Sequence, residues 1–394
     1  MAVYSIWNFI FFLGMGLFVP HFSPFVYSDL KVEEPGVLFF FSQLAFPAGA
    51  LLFGTLSDKT LHIRRYLVIQ IVLTSVFLTA FGLTKAGSLI QATIYISLMH
   101  FFIAGINPLI NVSYLQNNLP SEKLGQVRMY GTIGFLIPNI VTVFFPVSRI
   151  ILLILAAGFI ALSLSLIYYL PSGRSLRSQN QQKVEFKQLL RLLFSPLFLF
   201  FLFIMFLFYF QFAPAEFIVS EYLREIKIQA WNIPLDSVSL AWVLSACSEI
   251  FFFSISPFIL KRTGSLGMIA VAVLFGMLRY TLMILILPGS LWLIFIQILH
   301  GWHYGPAYLG SVLHAGEKAH PSRQATAQSA VLVLSKAAGA GWSGLILGNL
   351  AGNNNFVAVF SISLMVALAA LLLLVSYYKV QKKIKFFVND NQVV

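Results

Sequence analysis

A long series of apolar stretches restricts the fold of this chain more than any other feature of its sequence. Several stretches run about 20 residues with almost no charge, the length that a helix needs to cross ~30 Å of hydrocarbon at ~1.5 Å per residue. One such stretch is compatible with a buried helix of a soluble protein, but a dozen in series are not. The apolar windows, called spans 1 to 12 below, lie near 3–25, 35–56, 65–84, 88–118, 124–147, 149–170, 193–222, 236–260, 264–287, 290–314, 320–350 and 354–380.

The composition supports an all-α membrane protein. Apolar residues make up 59% of the 394 residues and charged residues only 10%, whereas a soluble domain carries roughly 25% charged residues. The single cysteine, Cys247, excludes a disulfide framework and a thiolate metal site, so no metal or cofactor is expected. The N-terminus lacks a basic region and an obvious cleavage site, which predicts that span 1 is retained.

The net charge of +12 is concentrated in alternate loops. This is the positive-inside pattern, and it predicts that both termini lie in the cytoplasm; a basic nucleic-acid surface is the weaker interpretation. The basic loops contain Lys59, Arg64 and Arg65, then Arg174, Arg177, Lys183, Lys187 and Arg191, then Lys261 and Arg262, then Lys318 and Arg323, and finally Lys379, Lys382, Lys383 and Lys385.

The chain divides into two groups of six spans. We predict an N-terminal six-helix bundle at 1–170, a cytoplasmic linker at 171–192, a C-terminal bundle at 193–380 and a basic cytoplasmic tail at 381–394. The loop after span 2, FGTLSDKTLHIRRYL, corresponds in position to SPFILKRTGSLG after span 8. Such correspondence is typical of transporters that are built from repeats.

The segment GTLSDKTLHIRR resembles the loop signature of the major facilitator superfamily. The matching positions are Gly54, Asp58, Lys59, Arg64 and Arg65. Asp58 can accept hydrogen bonds from a neighbouring helix N-terminus, and the basic pair can hold a cytoplasmic gate. The resemblance implies a fold of about twelve helices in two halves that transports by alternating access, while the simpler alternative is an ordinary basic loop.

Two further segments, GQVRMYGTIGF and ILHGWHYG, resemble the branch of phenylpropionate permeases and nucleoside–proton symporters. The nucleoside branch has an acidic residue after the aromatic in span 10, but here Gly305 follows Tyr304, and His300 stands where that branch has Tyr. These departures favour the phenylpropionate-like side. The positions that match the joint branch of phenylpropionate permeases and nucleoside–proton symporters are Arg128, Thr132, Phe135, Glu249, Arg279, Gln297, His300 and Gly301, with Gln328 in span 11.

Glu249 lies in the middle of span 8, where a carboxylate must pair, face water or bind a proton. We interpret it as a proton carrier; the alternative is a permanent ion pair with Arg279. Arg279 cannot release its charge, and its expected role is that of a counter-ion.

Gln297, His300 and His303 are spaced at i, i+3 and i+6, so they share one helix face. We predict that this face lines a cavity, with satisfied packing as the alternative. We expect Lys336, midway along span 11, to snorkel or to pair with a carboxylate; the alternative is direct attraction of an anionic solute. Glu216 is interpreted as a residue at the outer end of span 7, with a second carboxylate in the cavity as the alternative.

The sequence therefore predicts a proton-coupled symporter that imports a small organic solute, such as an aromatic carboxylate, as a monomer in a bacterial inner membrane. The alternatives are nucleoside or sugar symport, efflux by antiport and a non-transporting receptor. An enzyme is disfavoured because no nucleophile–base pair or metal cluster is recognisable. The expected proton-coupling residues are Glu249, His300 and Arg279, and the expected solute contacts are Arg128, Thr132, Phe135, Gln297, His300, His303, Tyr304 and Lys336.

Overall fold

The computed structural model describes residues 1–60, 62–116, 124–170, 195–230, 233–318 and 331–390, and each of the twelve predicted windows contains helix. The predicted linker at 171–192 lies outside the described residues. The helices of the first half are Ala2–Pro24, Pro35–Thr60, Ile63–Gly82, Leu89–Ile103, Ile106–Gln116, Leu124–Phe144, Arg149–Leu162 and Leu164–Ile167. A π-helical turn at Phe25–Leu30 continues the first of them.

The second half contains longer and more irregular helices. Pro196 occupies the first helical turn of span 7, where its missing N–H costs nothing. The helices lie at Pro196–Phe217, Val219–Arg224, Ser237–Leu285, Trp292–Phe295, Leu299–Lys318, Ala337–Gly352 and Phe356–Asp390. A 3₁₀ turn at Ile296–Ile298 joins the two helices of span 10, and a π-helical turn at Val331–Lys336 precedes the helix of span 11.

Nine helical segments of the described chain are long and apolar enough to cross a membrane, and one of them is a double span. The helix Ser237–Leu285 has 49 residues; at ~1.5 Å per residue it would be more than twice as long as the hydrocarbon layer is thick. Gly264 breaks it with a φ of +69°, a conformation that favours glycine. The break separates span 8 from span 9, as the sequence windows predict.

The spans pack mainly within their own half. Span 1 lies against spans 5 and 6, and span 2 against span 4; in the second half, span 7 lies against spans 11 and 12, and spans 8 and 9 against span 10. The two halves meet chiefly where span 2 packs on span 11 and span 5 packs on span 8. The site described below lies beside these inter-half contacts.

We call the two ends of the bundle the hairpin end and the basic end. The hairpin end carries the connections at 31–34 and 145–148 and the residues 225–230 and 233–236. The basic end carries the end of span 2, the start of span 3 and both ends of the described chain. Two antiparallel strands, Ile228–Ala230 and Ile233–Leu235, pair at the hairpin end. The sequence analysis did not predict them, because they lie between two spans and are too short for an apolar pattern.

Hydrogen bonds between the halves close the hairpin end. Every hydrogen bond between the halves that joins described residues lies at the hairpin end. One of them is between backbone groups, from Asp236 N–H to the carbonyl oxygen of Val143 at 2.9 Å. Gly36 N–H donates to Asn349 Oδ1 at 2.8 Å. The other bonds run from Tyr27 to Gly348, from Ser28 to Glu221 and between Thr142 and Ser239.

The C-terminal boundary differs from the prediction. Span 12 was expected to end near residue 380 and to be followed by a separate basic tail at 381–394. The helix instead runs from Phe356 to Asp390. Lys379, Lys382 and Lys383 are therefore on the last turns of span 12, because a helix that leaves the apolar layer can continue with basic side chains in water.

Candidate functional site

Charged side chains from four spans and a tyrosine from a fifth form a central cluster, defined by Arg128, Glu216, Glu249, Tyr304 and Lys336. Lys336 Nζ lies 3.3 Å from Glu216 Oε1, which joins span 11 to span 7. The same Nζ lies 5.9 Å from the centre of the Tyr304 ring, within cation–π range. Glu249 interacts electrostatically with Glu216, Lys336 and Arg128. The structure thus brings together residues that are far apart in the sequence.

Glu249 lies at a close approach of spans 8 and 10. A Cβ added to Gly301 would lie 2.4 Å from Glu249 N, so only glycine permits this approach. Gly301 N–H donates to Ser248 Oγ at 3.1 Å. Glu249 is partly exposed, and it makes no ion pair with any described residue.

Arg279 is not the partner of Glu249. It is only 1% exposed, and its Nη1 lies 3.2 Å from His300 Nδ1. Its Nη2 donates to Gln297 Oε1, whereas its Nε is buried without a partner. No described carboxylate pairs with Arg279, whose contacts are with neutral groups, so its expected role as a counter-ion stays a prediction.

The contact with Arg279 determines how His300 is protonated. A guanidinium group has only donors, so His300 Nδ1 must accept, and the proton of the neutral ring is on Nε2. A second proton on the ring would place two positive charges in contact in a buried place. The geometry therefore favours His300 as a hydrogen-bond donor over His300 as a proton acceptor.

His303 does not lie on the same surface as His300. It is fully buried, with Nε2 located 2.9 Å from Gln211 Nε2 and 3.1 Å from Gln211 Oε1. A Cβ on Gly276 would lie 2.5 Å from this ring, so His303 fills a gap against span 9. The ring packs between spans 7, 9 and 10 in this structure, and its predicted contact with the solute stays a prediction.

Aromatic rings border the central cluster. The Phe135 and Trp242 ring centres lie 5.9 Å apart across the two halves, and Trp242 lies 5.7 Å from His300. Phe212 stacks on Tyr304 at 5.4 Å. Thr132 is partly exposed and precedes Phe135 by one turn, while Arg128 is exposed nearer the basic end.

The predicted gating loop is only partly described. Arg64 donates from Nη2 to the carbonyl oxygen of Leu170, which ties span 3 to the end of span 6. Gly54 has open space around it, and Arg65 is exposed. The side chains of Asp58 and Lys59 lie outside the described structure, so the gate stays a prediction; Gln328 is also outside it.

Two residues of the site were missed or misjudged by sequence reasoning. Glu216 was interpreted as an outer end residue, but its contact with Lys336 makes it part of the central cluster. Its position only two residues after Pro214, in an apolar span, was the available signal. Trp242 gave no signal, because aromatic residues are abundant throughout the chain.

The described residues contain no group of three or more His, Cys, Asp or Glu side chains that could hold a metal ion. The arrangement instead combines two carboxyl groups, two cations and aromatic faces beside the boundary of the two halves. It can bind a polar organic molecule and exchange a proton.

Comparisons with known proteins agree with the fold. The model of the MFS_1 like family matches residues 1–362. A crystal structure of a mutant of the nucleoside transporter NupG is similar with a TM-score of 0.80 and 17% identity, covering 96% of this chain and 99% of that one.

A POT family transporter in complex with 5-aminolevulinic acid is similar with a TM-score of 0.70 and 13% identity, covering 95% of each chain. The POT family transporter PepTSo has a TM-score of 0.72 and 11% identity, with 98% of each chain covered. No curated protein sequence is significantly similar.

Proposed function

We propose that this chain, which belongs to the MFS_1 like family, is a proton-coupled symporter for a small organic solute such as an aromatic carboxylate. The family and the fold make it a multi-pass membrane transporter of the major facilitator type and not an enzyme. The proposal on coupling rests on one observation, the isolated Glu249 carboxyl group beside the Glu216–Lys336 pair.

Glu249 has the properties of a proton carrier. It lies in the middle of a span, it is partly exposed, and no described cation forms an ion pair with it. An ionised carboxylate in the middle of a span is unfavourable unless it faces water or pairs with a cation. Binding a proton neutralises Glu249 while the site is shielded from water during the transport cycle. Arg128 and Lys336 attract the Glu249 carboxylate only at longer range. This attraction is weaker than an ion pair, so Glu249 can change between its ionised and protonated forms.

The charges of the central cluster favour a monoanionic solute. Arg128 and Lys336 are cations, and Glu216 is an anion paired with Lys336. When Glu249 is protonated, the cluster carries a net charge of +1, which one carboxylate neutralises. When Glu249 is ionised, the same solute would leave an uncompensated negative charge. Proton binding and anion binding therefore support each other.

Orientation follows from the basic loops, which we assign to the cytoplasm. The hairpin end then faces outward and is closed by bonds between the halves. Glu249, Tyr304 and Lys336 are partly exposed and Arg128 is exposed, which supports access from the basic end. We therefore assign this structure to the inward-facing stage of the proposed alternating-access cycle.

A nucleoside is the second candidate solute. The nucleoside transporter NupG is similar over 96% of this chain, although at 17% identity this shows the fold alone. The pair of rings formed by Phe135 and Trp242 could stack on a base. Nucleosides are neutral, so this candidate does not use the net positive charge of the central cluster.

The proposal is tested with purified protein in liposomes that contain a pH-sensitive dye. Radiolabelled 3-phenylpropionate, uridine and dialanine are supplied from outside, with empty liposomes as the control for passive entry of the acid. We expect the protein to accumulate 3-phenylpropionate when the outside is acidic, and a potential set by potassium and valinomycin to leave this accumulation unchanged. Accumulation of no probe under an imposed pH difference would contradict proton-coupled symport, and uridine accumulation would establish the second candidate.

A further inference from the structure

Arg279 carries a positive charge that no described residue compensates. Its side chain is 1% exposed, and its contacts, His300 Nδ1 and Gln297 Oε1, are neutral. Removing a guanidinium ion from water is unfavourable unless an opposite charge compensates it. Arginine cannot avoid this cost by losing its proton, since its charge is permanent in proteins. The two neutral acceptors satisfy donors but leave the charge itself unbalanced.

A small pocket lies beside this charge. Residues of spans 7, 8, 9 and 10 line it, among them Ser220, Trp242, Arg279, Gln297 and His300. In this structure the pocket is about the size of one water molecule. It lies toward the hairpin end, next to the part of span 7 that follows Glu216.

Hydrogen-bond donors without acceptors line this pocket. Arg279 Nε is buried and has no partner among the described residues. His300 carries its proton on Nε2, because its Nδ1 accepts from Arg279. Ser220 Oγ accepts from Trp242 Nε1 at 2.9 Å, which leaves its own proton free to donate. None of these three groups needs another donor, so a ligand here has to be an acceptor.

We propose that this pocket, the Arg279 pocket, binds one small monoanion, either a halide such as chloride or the carboxylate group of a solute. An anion both accepts hydrogen bonds from the free donors and compensates the buried charge of Arg279. A water molecule accepts hydrogen bonds but does not compensate the charge. A carboxylate could reach the pocket when the hairpin end opens, because the pocket lies between that end and the central cluster. The site does not depend on the proposed symport, since its ligand need not be the transported solute.

The unfolding temperature of the purified protein in detergent tests the pocket. Chloride, bromide and formate are compared with gluconate, which is too large for the pocket, at constant ionic strength and pH. We expect at least one of the three small anions to raise the midpoint by about 3 °C or more, with saturation. Chloride and bromide without formate would indicate a halide site, and formate without the halides a carboxylate site.

Two variants make the test specific. Arg279→Gln should abolish the anion-dependent shift. Arg149→Gln, which removes a cation paired with Asp29 at the hairpin end, should retain it. If Arg279→Gln does not fold, bromide anomalous scattering from crystals of the unmodified protein should show an ion in contact with Arg279. Equal midpoints in all four salts, a shift that survives in Arg279→Gln, or the absence of bromide at Arg279 would overturn the proposal.

Discussion

The ion pair between Glu216 and Lys336 is weak enough for a solute anion to replace Glu216 in the proposed cycle. Both side chains are partly exposed, at 22% and 33%, so their attraction is screened by water and contributes little to stability. A solute carboxylate can therefore compete with Glu216 for Lys336 at small cost. The proposed function therefore assigns Lys336 to recognition of the solute and not to folding.

Replacing Lys336 by Gln should weaken solute binding and leave the fold intact. We expect the KM for the transported probe to rise about tenfold or more, the loss of one charge-assisted hydrogen bond of about 1.5–3 kcal/mol. Lys336→Arg keeps the charge and should stay closer to the unmodified protein. Uptake kinetics in liposomes measure both. Unfolding of Lys336→Gln at markedly lower temperature, with KM unchanged, would show that the pair is structural.

The role of His300 can be separated from that of Glu249. Asparagine can accept from Arg279 and donate on its other side, as the neutral histidine does, but it does not titrate. We therefore expect His300→Asn to retain uphill accumulation driven by a pH difference. Loss of accumulation, with counterflow of labelled solute intact, would instead identify His300 as a proton carrier.

At the scale of helices, spans 2 and 11 depend on glycine for their close packing. A Cβ on Gly36 would lie 2.4 Å from the carbonyl oxygen of Leu345 and 2.7 Å from Asn349 Oδ1. Such distances cannot be tolerated without movement of the backbone. Since this contact belongs to the closed hairpin end, its disruption should favour the state in which that end is open.

Gly36→Ala should shift the protein toward opening at the hairpin end. Cys247→Ser removes the one cysteine, and spin labels on Lys85→Cys and Asn354→Cys, both exposed at the hairpin end, then report the separation of the halves. We expect a greater population at long distance than in the parent protein. Gly158→Ala is the matched control, because its Cβ meets no atom within 4 Å. Identical distance distributions for Gly36→Ala and Gly158→Ala would contradict this account of closure.

The helices were more predictable than the contacts between them. Apolar length indicated span 1 near 3–25, and the helix is Ala2–Pro24, because the membrane imposes a length that the sequence must match. The break at Gly264 was also visible as an interruption of an apolar run. The partners of Arg279 and Glu216 were not predictable, because side chains on different spans meet only through the packing of whole helices. His303 shows the same limit, since helix periodicity gives a shared face but not what that face contacts.

For the whole molecule, the charge of the loops predicts how the chain lies in the membrane. In the Cys247→Ser background, a membrane-impermeant maleimide applied to intact cells should label Lys85→Cys and should not label Asn180→Cys. Permeabilised cells should be labelled at both positions, which controls for reactivity. Labelling of Asn180→Cys from outside would reverse the orientation and place the open basic end outside the cell.

In the proposed symport, movement of the two halves is linked to protonation of Glu249. In the proposed cycle, protonated Glu249 permits anion binding, the hairpin and basic ends open in turn, and release of the proton in the cytoplasm releases the solute. Exchange of solute needs the movement of the halves but no net release of protons. Uphill accumulation needs both.

The most direct test compares these two activities in Glu249→Gln, which keeps the shape of the side chain and cannot ionise. In liposomes, we predict that counterflow of the transported probe survives at least in part, while accumulation driven by an inward pH difference is lost. The unfolding temperature should change little, because no described residue forms an ion pair with Glu249. A stable Glu249→Gln protein that still concentrates the probe against its gradient would contradict the assignment of Glu249 as the proton site.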